Sequence, residues 1–311
     1  MLYKFFDDQG VYLAVIITYY ALLSVVPLLL LATSVLGFVL SGDPELRTRV
    51  LDSAVSDFPV VGDQLGRPEG LQGSVGAIVI GGAFALYGSL GLGTAVQNAL
   101  LTAWAVPRNN RPNPVLLRVR SLLLLVAGGL AVLAVSSVST LAQVVDRDPT
   151  GLLPPEVFRW TGPVISGLAV TVVVALLLWL GAGRRHSLRR SFAGALVIAL
   201  LWQLIQLGGT RLVGRSVREA SEMNATFGVV LGLIAVTYLA SVSLVLGVET
   251  NVVLHRRLWP RALLTPFTDA VALTDADRRA YADYAKAQRH KGFERVRVEF
   301  EDRDRDRDDR S

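Results

Sequence analysis

A carboxylate close to the end of an apolar stretch has the clearest capacity for chemistry. Glu249 follows 23 uncharged residues and precedes His255, Arg256 and Arg257. A charge in hydrocarbon costs roughly 3 kcal/mol, so this carboxylate should be paired, protonated or near the headgroups. Two interpretations stay open. Glu249 is either an interfacial residue held by Arg256 and Arg257, two helical turns further on, or a proton- or substrate-coupled carboxylate facing the bundle interior.

Other polar residues lie inside apolar stretches, where each needs a partner away from water. Tyr20 and Ser24 are four residues apart, so they share one helical face. Pro27 lacks a backbone donor and clashes with the preceding turn. We therefore expect a broken first helix and a freed carbonyl group available to Ser24. The second apolar stretch contains Gln97 and Asn98.

These polar side chains, together with Asn251, have two possible roles. The first is hydrogen bonding between helices, worth about 1 kcal/mol for each residue. The second is lining a substrate path. An interior cavity that joins Tyr20, Ser24, Gln97 and Glu249 would favour the second role, whereas that role would lose its support if all four faced lipid or solvent separately.

Small residues at helical spacing predict close helix packing. Gly228 and Gly232 form a small-xxx-small spacing. The run from Gly88 to Gly93 resembles a phosphate loop, but it lies inside an apolar stretch and contains no lysine. We assign this run to helix packing as well.

Soluble catalytic signatures are missing from the sequence. It contains no Walker A loop, no H-E-x-x-H and no G-x-S-x-G, and it has no cysteine. The apolar stretches hold serine and threonine but no histidine, lysine or aspartate to activate them. We expect neither an enzyme, nor a metal site, nor a cofactor.

The elements that must position these residues are six stretches without any Asp, Glu, Lys, Arg or His. They hold 142 of the 311 residues and cover 11–40, 75–103, 121–145, 163–180, 191–207 and 226–248. A bilayer core of about 30 Å needs roughly 20 apolar residues in a helix. The sequence therefore predicts an all-α polytopic membrane protein with six transmembrane helices in a bundle.

Loop charges predict how this bundle lies in the membrane. Loops 104–120 and 181–190 carry eight arginines and no acidic residue, whereas the longer alternate loops carry eight arginines beside eleven acids. The arginine-dense loops, and with them both termini, should lie in the cytoplasm. The net charge of +5 then reflects orientation in the bilayer, and we expect no nucleic-acid partner.

Two regions are expected, a transmembrane domain over residues 1–255 and a separate cytoplasmic tail over 256–311. Thr274, followed by Asp275 and Asp277, is typical of a helix N-cap and predicts one helix over 276–290. Residues 301–310 are rich in alternating Asp and Arg, cannot bury apolar area and should be disordered.

Three segments carry a resemblance to a known family. They are Tyr19-Tyr20-Ala-Leu-Leu-Ser24-Val-Val-Pro27, then Gln97-Asn98 through Trp104 to Pro107-Arg108, then Phe227-Gly228 through Gly247-Val-Glu249-Thr-Asn251. In this order they resemble the YihY/BrkB family of bacterial inner-membrane proteins over residues 11 to 255. The resemblance implies a six-helix bundle with cytoplasmic termini and an envelope-related role.

Members of this family often bear the label of a tRNA-processing ribonuclease, which the residues do not support. A metal-dependent nuclease needs clustered acidic or histidine ligands. The arginine-dense loops offer no carboxylate, and the acids of the tail lie in its low-complexity end.

Two functions from different classes remain. The first is a transport-like or envelope-related membrane protein, which should lose activity in Glu249→Gln while folding normally. The alternative is a structural or assembly protein, which should respond to bulky residues at Gly228 or Gly232 or to removal of the tail. The bilayer is the expected partner, and a second copy or an envelope protein is left open.

Overall fold

The computed structural model describes residues 1–39, 75–145, 155–181, 187–219, 222–260 and 272–300, and the regular elements in these ranges are helical. A short helix α1 (Leu2–Asp7) opens the chain, and α8 (Asp275–Ala287) lies in the tail. Between them are six long helices: α2 (Gly10–Val39), α3 (Val75–Ala103), α4 (Pro114–Val145), α5 (Pro155–Gly181), α6 (Leu188–Glu219) and α7 (Glu222–Arg256).

Each long helix contains one of the six uncharged stretches, so the predicted all-helical fold is confirmed. By length and composition, two segments of the described part are able to cross a membrane, Leu188–Gly208 and Val230–Arg256. Gly10–Ser24 and Gly167–Gly181 are shorter apolar segments. The count of six spans stays a prediction.

The break expected in the first long helix does not occur. Helix α2 continues through Pro27 to Val39. The hydroxyl of Ser24 donates to the Ala21 carbonyl oxygen at 2.8 Å, within its own turn. The carbonyl that Pro27 leaves without a helical donor is that of Leu23, so Ser24 does not bond the freed group as expected.

The six long helices form a ring in chain order, since each packs against the next and α7 returns to pack against α2. Helix α3 also touches α5 and α7 across the ring, and α1 lies against α2 and α7. The ring brings the first and last long helices together, and α1 covers the contact between them.

Contacts between helix ends show that neighbouring helices alternate in direction. Asn251, near the end of α7, bonds Ser191 and Gly194 near the start of α6. Gln97, near the end of α3, bonds Leu117 near the start of α4. Both described chain termini, 1–8 and 272–300, therefore lie at one end of the ring. We call it the Arg-rich end, after Arg108, Arg120, Arg190 and Arg256.

Small residues fill much of the interior close to the Arg-rich end. One buried cluster contains Leu100, Ala103, Ala175, Leu178, Ala195, Ile198, Val248 and Val252, and a second contains Phe5, Ala14, Ile17, Ala95, Ala99 and Val245. Alanine lets backbones approach closely, which increases van der Waals contact where lipid is as apolar as the core. Large side chains such as Leu130 and Leu204 are exposed on the outer surface.

The closest helix approaches occur at glycines. A Cβ on Gly194 would clash with the Gly247 carbonyl oxygen, and a Cβ on Gly247 would clash with the Gly194 carbonyl oxygen. A Cβ on Gly88 would lie 2.8 Å from the backbone nitrogen of Ser24, and one on Gly93 would lie 2.7 Å from the Cβ of Ser121. The run from Gly88 to Gly93 therefore packs α3 against α2 and α4.

Gly228 and Gly232 behave differently from these glycines. A Cβ at either position would meet no atom within 4 Å among the residues that the structure describes. The close packing predicted for them is therefore not found between described parts of the chain. A small-residue spacing marks where helices can approach closely and does not identify the neighbour, so the role of these two glycines stays a prediction.

The tail helix begins as predicted and then docks onto the bundle. Thr274 and Asp277 form a reciprocal capping box, and α8 ends at Ala287, three residues earlier than expected. The backbone N–H of Asn109 donates to the Arg289 carbonyl oxygen at 3.2 Å, and Arg108 bonds Gln288 at 3.2 Å. Helix α8 thus contacts the bundle and is not separate from it. The Asp- and Arg-rich segment 301–311, expected to be disordered, lies outside the described residues.

Candidate functional site

A cluster of charged side chains lies where α1 meets the end of α7. Lys4 and Asp8 are one helical turn apart, so α1 and its C-terminal cap present both to α7. The Lys4 ammonium pairs with Asp8, and its Nζ lies 3.3 Å from Oε2 of Glu249. Lys4, Asp8 and Glu249 form what we call the charged cluster.

The charged cluster is removed from solvent. Lys4 is 4% exposed, Asp8 is 6% exposed and Glu249 is completely buried. Neither carboxylate oxygen of Glu249 accepts a hydrogen bond from a residue in the described part of the chain. One ammonium group thus faces two carboxyl groups, one of which is incompletely satisfied. Burial makes such an imbalance costly.

The tail helix completes the surroundings of the cluster. The Tyr284 hydroxyl donates to Oδ1 of Asp8, and the Lys4 ammonium lies 5.3 Å from the centroid of the Tyr284 ring. The charged cluster therefore joins α1, α7 and α8. It lies at the Arg-rich end, beside both described termini.

Of the two interpretations left open for Glu249, the pairing with Arg256 and Arg257 is not found among the described residues. Arg256 pairs with Asp283 and donates from Nη2 to the Trp104 carbonyl oxygen at 2.6 Å. Arg257 is exposed, beyond the end of α7. Glu249 faces inward and pairs with Lys4 because α1 packs against that side of α7.

Tyr20 and Ser24 contribute to packing between α2 and α3. The ring of Tyr20 covers Gly91, where a Cβ would clash with it. Ser24 is buried, and its backbone lies against Gly88. Pro27 belongs to α2, and its side chain lies outside the described features.

The adjacent residues Gln97 and Asn98 have different environments. Gln97 is buried and donates from Nε2 to the Leu117 carbonyl oxygen at 3.0 Å and to the Ser121 hydroxyl at 2.7 Å. It therefore connects α3 to α4. Asn98 is exposed and points away from the bundle.

Asn251 connects α7 to α6. Its Oδ1 accepts from the Gly194 backbone N–H at 2.7 Å, and its Nδ2 donates to the Ser191 carbonyl oxygen at 3.3 Å. This contact needs the close approach of Gly194 and Gly247, one turn away. Asn251 is buried and lies beside Glu249 in sequence but faces a different helix.

A cleft of about 310 Å³ opens between the ends of α3, α4, α5 and α7 at the Arg-rich end. Its lining includes Gln97, Trp104, Arg120, His255 and Arg256. Tyr20, Ser24 and Glu249 do not line it. A substrate path was expected to join Tyr20, Ser24, Gln97 and Glu249. Of these four residues, Gln97 lines this cleft and the other three do not.

The described residues do not assemble a set of metal ligands. No three His, Asp or Glu side chains come together there in a way that could hold a metal ion. The charged cluster contains two carboxyl groups and one ammonium group. An ammonium at this distance occupies the place that a cation would take.

A ring of long apolar helices with exposed leucines on its outer surface and buried charge at one end defines an α-helical membrane protein. Comparison with known families agrees. The family model described as Virulence factor BrkB matches residues 1–267. The chain belongs to the YihY/BrkB family. No curated protein and no solved structure matches it.

Sequence reasoning missed Lys4, Asp8 and Tyr284. The spacing of Lys4 and Asp8 just before the first apolar stretch was a usable signal, since ion pairs four residues apart share a helix face. For Tyr284 the signal was weaker. It lies on the apolar side of α8, which any docked helix would bury.

Proposed function

We propose that this chain is a multi-pass protein of the bacterial inner membrane with a transport-like function, in which Glu249 is the coupled carboxylate. The observation that carries this proposal is the charged cluster, where a completely buried carboxylate has an ion pair with Lys4 but accepts no hydrogen bond from the described residues. Ionisable groups inside membrane proteins are costly, and those that persist mark ion or substrate pathways.

The balance of charges distinguishes this role from a purely structural one. Lys4 and Asp8 already form a neutral pair, which Tyr284 supports. Glu249 adds a second carboxyl group to that pair and therefore works against the stability of the junction. A buried group with such a cost to stability is expected to act in function.

The Arg-rich end is assigned to the cytoplasm in this proposal. The described parts of both termini lie there with Arg108, Arg120 and Arg190, and positive residues favour the cytoplasmic side. A phosphatase reporter, which is active only outside the inner membrane, should be inactive when fused after Ser311. An active fusion would contradict the orientation.

Proton movement across proteoliposomes tests the role of Glu249. The full chain is reconstituted with a trapped pH-sensitive dye, and a membrane potential is imposed. We expect proton entry above that of protein-free liposomes, abolished in Glu249→Gln. Asp275→Asn is the matched control, because Asp275 is an exposed carboxylate at the same end of the molecule. Equal fluxes for wild type and Glu249→Gln would contradict the proposal.

An assembly function is the second candidate, and one observation favours it. Gly228 is exposed on α7, and both Gly228 and Gly232 have open space before them in the described part of the chain. Such a face accepts a helix from a second copy or from an envelope protein. Gly228→Leu should then abolish chemical cross-linking between copies in membranes while Gly128→Leu leaves it intact. Unchanged cross-linking would exclude this face.

Neither proposal includes catalysis, a cofactor or a nucleic-acid partner. The envelope-related role implied by the resemblance fits both candidates, because each places the protein in the inner membrane. The reconstitution experiment distinguishes them, since only the transport-like protein needs Glu249 for flux.

A further inference from the structure

The cleft at the Arg-rich end has a composition of its own. It lies between the ends of four long helices, and its lining contains two arginines, one histidine and one tryptophan but no carboxylate. Its volume of about 310 Å³ is at the lower limit for small-molecule sites. The charged cluster does not contribute to it, so binding in this cleft is independent of the proposed transport function.

Arg120 is the distinctive residue of this cleft. It is half-buried and makes no hydrogen bond or ion pair with any residue in the ranges that the structure describes. It lies two turns from the N-terminus of α4, where the helix dipole gives a cation no stabilisation. A partly buried guanidinium without a partner among the described residues favours an anion.

Arg256 is the second donor, and its position is fixed. Its guanidinium pairs with Asp283, bonds the Trp104 carbonyl oxygen and lies 6.0 Å from the centroid of the Trp104 ring. Guanidinium has five N–H groups, so these two bonds leave donors for a ligand. The Trp104 ring and its edge contact with His255 form an apolar wall.

The surrounding loop adds positive potential. Arg111 donates from Nε to the carbonyl oxygen of Val106, which lines the cleft. Burial lowers the pKa of the Arg111 guanidinium, and the neighbouring Arg108 lowers it further. Arg190 lies 3.4 Å from Nε2 of His255, so that nitrogen is an acceptor and not a donor. Positive groups thus surround the cleft, and no carboxylate is among its lining residues.

We propose that this cleft binds a phosphate-bearing anion, with Arg120 pairing directly with the phosphate and Arg256 donating from its free N–H groups. Guanidinium binds phosphate oxygens through paired N–H donors, which makes arginine well suited to this group. The phosphate belongs either to an anionic lipid headgroup from the adjacent leaflet or to free phosphate from solution.

Trp104 provides the measurement, because it lies in the cleft wall. The full chain is reconstituted in phosphatidylcholine nanodiscs, and its fluorescence is titrated with inorganic phosphate. In a second arm, nanodiscs contain brominated phosphatidylglycerol or brominated phosphatidylcholine, and quenching is compared. Trp104→Phe identifies the part of the signal that comes from the cleft.

Two arginines on the same helix supply the variant and its control. Arg120→Gln should weaken binding by about tenfold or more. Arg118→Gln should change it by less than about twofold, because Arg118 is exposed and does not line the cleft. Arg120→Lys keeps the charge but loses the paired donors, so it should give an intermediate affinity.

Each outcome decides the proposal. Saturable phosphate binding identifies the free anion as the ligand. Stronger quenching by brominated phosphatidylglycerol than by brominated phosphatidylcholine identifies the lipid headgroup as the ligand. Either result supports the site. Both measurements use the wild-type chain, so neither requires a variant to fold. Absence of both signals overturns the proposal. Equal losses in Arg118→Gln and Arg120→Gln also overturn it, because they would show general surface attraction.

Discussion

Lys4, in the short helix α1, lies 3.3 Å from the carboxylate of Glu249 near the end of α7. The two residues come from opposite ends of the chain, and both are nearly or completely buried. The packing of α1 against the last long helix brings the two side chains together, and Tyr284 of α8 lies over the same ammonium group. Four predictions follow from this junction and from the helix contacts around it.

The first concerns the charge balance of the junction. Lys4→Met leaves Asp8 and Glu249 buried without their cation and should lower the free energy of unfolding by about 3–5 kcal/mol. Glu249→Gln keeps the neutral Lys4–Asp8 pair and should cost much less. Unfolding of the detergent-solubilised chain by increasing dodecyl sulfate measures both. A larger loss in Glu249→Gln than in Lys4→Met would contradict the assigned pairing.

The second concerns the docking of the tail helix. Tyr284→Phe removes a donor from buried Asp8 and should cost about 1–3 kcal/mol, because the carboxylate is left less satisfied. Helix α8 should then be cleaved faster by protease while the bundle stays intact. Tyr12→Phe is the control, since Tyr12 is exposed on the outer surface. If cleavage rates of the two variants agree, the hydroxyl does not hold α8.

The third concerns the contact between α6 and α7. Gly247→Ala places a methyl group against the Gly194 carbonyl oxygen and against Ile198, so the helices must move apart. We expect a loss of about 2 kcal/mol or more, as in other overpacked interfaces. Gly128→Ala, which meets no atom within 4 Å in the described part, should be neutral or slightly stabilising. Denaturation midpoints compare them, and a neutral Gly247→Ala would show that the approach is looser.

The fourth concerns the neighbours Gln97 and Asn98. Gln97→Leu removes the bonds to Leu117 and Ser121 and should cost about 0.5–2 kcal/mol, typical of polar contacts between membrane helices. Asn98→Leu should be neutral or favourable, since Asn98 is exposed. Equal midpoints for both variants would refute the interhelical role of Gln97.

Much of the architecture was predictable because it depends on local composition. The uncharged stretches locate the six long helices, since a run of apolar residues in lipid can satisfy its backbone only as a helix. Thr274 and Asp277 locate the start of α8, because a capping box involves residues three apart. The grouping of arginine-dense loops at one end likewise follows from alternating helix directions.

The sites were less predictable, because they depend on which helix faces which. Gly228 and Gly232 carry the packing spacing, yet the tight contacts of the described chain lie at Gly194 and Gly247. Pro27 predicts a break, but α2 continues through it. In both cases the local pattern does not specify which elements lie next to it.

The sequence by itself determined that this chain is helical, apolar over six stretches and basic in alternate loops, because each of these properties is set within a few helical turns. Only the tertiary structure decided the partner of Glu249. Local reasoning offered Arg256 and Arg257, two turns away on the same helix, whereas the closure of the ring brought Lys4 from the other end of the chain. A buried charge pairs with the cation that packing brings into contact, and separation along the chain does not determine that contact.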